Sequence, residues 1–137
     1  MKINNNIEEQ YCSFNISKLL KEKGFEVKGM FFFNEGSGWK KQSDNLLRIY
    51  ENLIENPTHS IVISWIRVNF GIHIYSLEQD KFPKSVKERY MYQVINTKVK
   101  GKKLFANKNY FIESNYIFSS YEQATESALE YVLTNLI

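Results

Sequence analysis

The stretch "THSIVISWIRVNFGIHIYS", residues 58–76, decides the architecture. Propensity favours a strand, because Ile61, Val62, Ile63, Ile66 and Val68 are β-branched. Spacing favours a helix, because Ile61/Trp65 and Val62/Ile66 each stand one helical turn apart. Thr58 follows Pro57 as an N-cap, and Gly71 supplies a stop. The capping signals tip the balance, so a helix is predicted over 58–70. "IHIYS", residues 72–76, alternates as a strand.

Upstream, "SFNISKLLKEKGF", residues 13–25, reads as a short helix. Ser13 or Asn15 caps it, Ile16, Leu19 and Leu20 share one face, and Gly24 ends it. "FEVKGMFFF", residues 25–33, has no helical period and reads as a strand, with Gly29 at a candidate bulge. "NEGSGWKKQS", residues 34–43, is the most loop-like stretch. Ser43 or Asp44 then caps a helix in which Leu46, Ile49, Tyr50, Leu53 and Ile54 form the apolar face, closed by Asn56-Pro57.

Downstream of a polar, lysine-rich connection over 78–88, "RYMYQVINTKV" alternates Tyr90, Tyr92 and Val94 against Met91, Gln93 and Ile95. That is a strand. Gly101 sits where a hairpin would turn, and Leu104 to Phe111 reads as the return strand. "SSYEQATESALEYVLTNLI", residues 119–137, is the clearest helix, with a capping box at Ser119 and Glu122 and an apolar stripe of Ala124, Ala128, Val132 and Leu136. Glu122, Glu126 and Glu130 make an acidic stripe beside it, expected on a solvated face. The expected fold is α+β, one domain over 1–137, with an antiparallel sheet of about four strands, helices mainly on one face and a long C-terminal helix.

Composition limits what the chain does. With 137 residues, 43% hydrophobic and 15% aromatic, it has enough apolar material for one core. "MKINNNIEEQ" has no apolar leader-like run, and no segment reaches the roughly 18 apolar residues of a membrane span, so a cytoplasmic location without membrane contact is expected. Cys12 is the only cysteine, which removes an intramolecular disulfide and leaves His59 and His73 too few to announce a metal site. A Cys12 thiol paired with His59 or His73 is a conceivable nucleophile, but no flanking signature accompanies it. A half-buried structural cysteine near a frayed terminus is the plainer expectation. No metal, no cofactor and no catalytic residue is expected.

Three spaced stretches, "ISKLLKEKGF" (16–25), "ISWIRVNFGIHIYS" (63–76) and "YEQATESALEYVLTNLI" (121–137), resemble small α+β proteins encoded by phages and mobile elements of Bacteroidota. The resemblance implies a helix over 58–70, where such proteins carry a polar Trp-Leu/Phe-Arg-Glu-Lys pattern. It implies no activity.

The candidate contact surfaces are basic and aromatic. "KVKGKKLFANKNY", residues 98–110, carries Lys98, Lys100, Lys102, Lys103 and Lys108 without an acid. These lysines suit phosphate, and Phe105 and Tyr110 suit stacking on unpaired bases. A solvated hairpin guarded by lysines against edge pairing is the alternative. In "EGSGWKK", residues 35–41, Gly36 and Gly38 lack the spacing of a nucleotide loop; Trp39 reads better as a protein-contact anchor beside Lys40 and Lys41. Tyr90 and Tyr92 form an exposed ladder if Met91 and Ile95 face the helices.

The net charge of +3 suits an acidic partner without requiring one. The function expected is that of a non-enzymatic, phage-type binding protein, a monomer or small homo-oligomer, that inhibits or modulates a host protein or ribonucleoprotein complex. An anti-CRISPR-like inhibitor is the concrete form. The alternative is a nucleic-acid-binding module that uses the lysine-rich hairpin on RNA.

Overall fold

A computed structural model describes residues 10–26, 31–34, 38–41, 54–99, 110–115 and 117–137. The described elements are α1 (Phe14–Glu22), β1 (Phe31–Asn34), β2 (Gly38–Lys41), β3 (Ile54–Asn56), α2 (His59–Phe70), β4 (Ile72–Glu78), β5 (Tyr90–Asn96), β6 (Phe111–Glu113) and α3 (Tyr121–Asn135). The class is α+β, with a C-terminal helix.

Residues 59–70 are helical, and magnitudes explain why spacing overrides propensity. A β-branched residue costs a few tenths of a kcal/mol in a helix, whereas burying one whole aliphatic side chain contributes about 1.5–3 kcal/mol. Val62 and Ile66, one turn apart, are both 0% exposed. Trp65 meets Phe25 and Phe70 edge-on, each at 5.2 Å between ring centroids. Gly71 closes the helix at φ 65°, and a Cβ there would lie 2.8 Å from Thr97 Oγ1. A side chain at this position is therefore opposed by both backbone conformation and space.

The strands differ from expectation. Instead of one sheet of about four strands, the described residues form two three-stranded antiparallel sheets, ordered β2-β1-β3 and β4-β5-β6. The stretch 34–43, expected as a loop, contains β2, which pairs with β1 from Phe31↔Lys41 to Asn34↔Gly38. The expected second helix reached Ile54, but Ile54 opens β3, which pairs with β1 through Phe33↔Ile54 and Phe31↔Asn56. The physical reason is that the Phe31–Phe33 run takes backbone partners on both sides, and periodicity within a neighbouring segment does not reveal that demand. The rest of that helix, 43–53, lies outside the described residues, as do Gly29, Gly101 and most of the expected return strand, 104–109. β6 starts at Phe111, the last residue of that expected strand, and pairs with Gln93–Ile95.

The first and last described helices meet in the core. Ser13 caps α1 by accepting from the Ile16 amide, and Gly24 ends the helix region at φ 79°. Ile16 and Leu20 then join Val62, Ile66, Ile72, Ile74, Tyr92, Val94, Ala128, Leu129, Val132 and Leu133 in one buried cluster. The cap of α3 is displaced by one residue from the expected box. Ser120 Oγ accepts from the Gln123 amide at 3.2 Å, and Gln123 Oε1 accepts from Ser119 Oγ at 2.6 Å.

The sheet β4-β5-β6 has two unlike faces. Strand alternation places Ile72, Ile74, Ser76, Tyr92, Val94 and Ile112 on one face, and the 2.7 Å bond between Ser76 Oγ and Thr125 Oγ1 fixes that face against α3. His73, Tyr75, Leu77, Met91, Gln93, Ile95, Phe111 and Glu113 occupy the other. This reverses the expected ladder. Tyr92 is 7% exposed and stacks on Phe118, and the half-buried Tyr90 packs at 4.6 Å against Tyr121.

Candidate functional site

The segment before α1, the start of α2 and the middle of α3 converge on three chemically active side chains. The Cys12 amide donates to the Pro57 carbonyl at 2.8 Å and the His59 amide to the Gln10 carbonyl at 2.8 Å, so the N-terminal segment lies as a short bridge beside the entry to α2. From α3, Glu126 reaches into this junction. Its Oε1 accepts from His59 Nε2 at 2.7 Å and from the Ser13 amide at 2.9 Å. The ligand atoms of Cys12, His59 and Glu126 all lie within 4.8 Å of one another.

Burial grades the three groups. Cys12 is 2% exposed, and the side chains of His59 and Glu126 are 11% and 26% exposed. The expectation of a half-buried cysteine near a frayed terminus is thus corrected, because the backbone bridge to Pro57 draws Cys12 into the core. Burial pushes the Cys12 thiol far above its ordinary range, and the Glu126 charge pushes it further in the same direction. A thiol held in that state is a poor nucleophile despite its neighbours. For Glu126, burial acts to raise the pKa, but the bonds from His59 and Ser13 outweigh it and the carboxyl is held below its usual range.

The glutamate stripe therefore divides. Glu126 leaves the solvated face expected for it, while Glu122 and Glu130 line separate clefts on either side. The first cleft, about 280 Å³, is lined by Gln10, His59, Ser60, Tyr121, Glu122 and Thr125. The second, about 190 Å³, includes Ser13, Ile16, Glu126, Ser127 and Glu130. The sequence contains no local signal for this cluster, since its members are joined only by the packing of α1 and α3 around the Pro57 junction.

The residues singled out from sequence do not assemble into one site. Lys98 is turned back onto α2, with Nζ donating to the Asn69 carbonyl at 3.2 Å and standing 5.7 Å from the Phe70 ring centroid. The helix C-terminal carbonyls attract it there. Tyr110 marks the other end of the β5–β6 connection, its carbonyl accepting from the Asn96 amide at 2.8 Å. Lys100, Lys102, Lys103, Phe105 and Lys108 lie outside the described residues. Trp39, Lys40 and Lys41 are backbone-paired on β2, opposite Phe33, Phe32 and Phe31. His73 lies on the outer face of β4, its ring stacked on Tyr75 at 6.4 Å.

Comparison with known proteins returns no match to any protein-family model, any curated protein or any solved structure. Among the described residues, no helix is long and apolar enough to cross a membrane.

Proposed function

We propose that this chain is a non-enzymatic binding protein of phage type that acts by occupying a surface of a host protein or ribonucleoprotein, in the manner of an anti-defence inhibitor such as an anti-CRISPR. The observation that carries this reading is the outer face of β4-β5-β6. Tyr75 is 46% exposed and Leu77 37%, on the face opposite the one against α3. Around them stand His73, Gln93, Ile95, Phe111 and Glu113. This mixture of stacked aromatics, aliphatics and hydrogen-bonding groups is what docked protein surfaces use.

The lysine-rich connection gives the partner its character. It joins β5 to β6 and so departs from the same end of the sheet, beside the Ile95↔Phe111 pair. A protein carrying exposed RNA or an acidic rim fits a chain that has both an aromatic sheet face for burial and a lysine-rich stretch for phosphate contacts. A module gripping free nucleic acid through the lysines alone is the competing reading.

Affinity capture from a Bacteroidota host lysate separates the two when three baits are compared with and without ribonuclease. The parent is expected to retain a specific protein after ribonuclease, the Tyr75→Ser/Leu77→Ser bait to lose it, and the Lys100→Gln/Lys102→Gln/Lys103→Gln bait to hold it more weakly. Unchanged capture by the Tyr75/Leu77 variant would refute the reading. Capture abolished by ribonuclease and by the lysine variant, but not by the face variant, would assign the protein to nucleic-acid binding.

A further inference from the structure

Cys12, His59 and Glu126 combine three ligand types that bind a borderline-soft cation together: a thiol, an imidazole and a carboxylate. Tetrahedral zinc with bonds of about 2.0–2.3 Å sets its ligand atoms roughly 3.3–3.6 Å apart. The three atoms here lie within 4.8 Å of one another, and His59 Nε2 and Glu126 Oε1 are at 2.7 Å. Closing to metal geometry requires the imidazole–carboxylate pair to open by roughly half an ångström.

Two further features favour a cation over a plain structural contact. A thiolate and a carboxylate together cancel the charge of a divalent ion, so an ion at this largely buried junction is not left unpaired. Glu126 is also oriented independently of His59, because the Ser13 amide donates to the same carboxylate oxygen at 2.9 Å. Such outer contacts hold a ligand in place before the ion arrives. His59 lines one cleft and Glu126 another, so two of the three ligands border open space.

We propose that Cys12, His59 and Glu126 form a three-ligand site for zinc or a similar divalent ion, which ties the segment before α1 to the start of α2 and to α3. Binding takes the thiol proton into solvent, and the proton on His59 Nε2 passes to Nδ1 so that the Nε2 lone pair is free for the metal. The net balance is about one proton released per ion bound. The proposed site departs from the expectation, drawn from residue counts, that the chain holds no metal.

The test uses the full-length chain after removal of metal by a chelator. Titration with Co²⁺ is expected to give one ion per chain and a near-ultraviolet thiolate-to-cobalt charge-transfer band, then displacement by Zn²⁺. Because the chain has a single cysteine, that band reports on Cys12 alone. His59→Gln and Glu126→Gln are each expected to weaken binding at least about tenfold. The unmodified protein decides the matter even where a variant folds poorly. Absence of stoichiometric cobalt, or cobalt bound without the thiolate band, overturns the site.

Discussion

The two faces of the β4-β5-β6 sheet differ in surroundings, although they are built from alternate residues of the same strands. The inner face presents Ile72, Ile74, Tyr92 and Val94, none more than 7% exposed, to the cluster completed by α3. The outer face presents Tyr75 and Leu77 at 46% and 37% exposure. A side chain on the inner face contributes through burial, so its loss is felt as stability. The outer face is mixed, with Met91 only 7% exposed, but Tyr75 and Leu77 have less burial to lose within the monomer, which is why the proposed partner contact is placed on them. The difference teaches that aromatic richness in this chain is not all core, since strand alternation buries Tyr92 and leaves Tyr75 exposed.

Substitutions sharpen or break this contrast. The largest effect is expected on the inner side, where Leu129, 0% exposed, underlies the sheet. Leu129→Ala should cost about 2–5 kcal/mol in urea unfolding, the range for a buried leucine that leaves a cavity. A smaller cost would mean that the layer between α3 and the sheet is loosely packed.

Next comes the junction on α3. Glu126→Gln should cost about 1 kcal/mol at neutral pH in chelator-treated protein, discounted because the carboxylate is partly solvated. Its pH dependence follows from the depressed carboxyl pKa. A carboxyl lowered on folding contributes stability above its unfolded pKa of about 4.3, and the contribution is lost as pH falls through the folded value. His59 and Cys12 are the titratable groups facing it. The gap between parent and variant, followed by thermal unfolding from neutral pH into acid, should therefore shrink below about pH 4. A gap that widens in acid contradicts the assignment.

A change of opposite sign is expected at Ser17, which is 1% exposed on α1 with a hydroxyl that has no hydrogen-bond partner among the described residues. Ser17→Ala removes an unsatisfied group and improves helix propensity, so it should stabilise by up to about 1 kcal/mol. Destabilisation in the same urea titration would show that the hydroxyl is satisfied in solution.

Much of the inner side was legible in the sequence, for particular reasons. Ser13, Gly24, Gly71 and the Ala124/Ala128/Val132 stripe are local signals, and each operates within a turn or two of helix. The run 58–70 was harder, since its propensity and pattern disagree, and its caps gave the right answer. The errors lie where a distant partner decides. β2 and β3 exist because β1 takes neighbours on both sides, and Tyr92 faces inward because Ser76, its cross-strand neighbour, meets Thr125. The Cys12/His59/Glu126 cluster had no local signature, with His59 and Glu126 standing 67 positions apart. The lysine-rich stretch was the loudest signal in composition, yet its first lysine is occupied at the end of α2.

The claim that the outer face is the working surface is tested most directly by Tyr75→Ser/Leu77→Ser, measured for stability and for partner binding on the same preparation. The melting curve should match the parent's, with a stability change within about 0.5 kcal/mol. Retention of the host protein captured by the parent should fall at least about tenfold, the loss expected when an aromatic anchor is truncated. Undiminished retention, or a loss of binding that only tracks a loss of stability, would contradict the account.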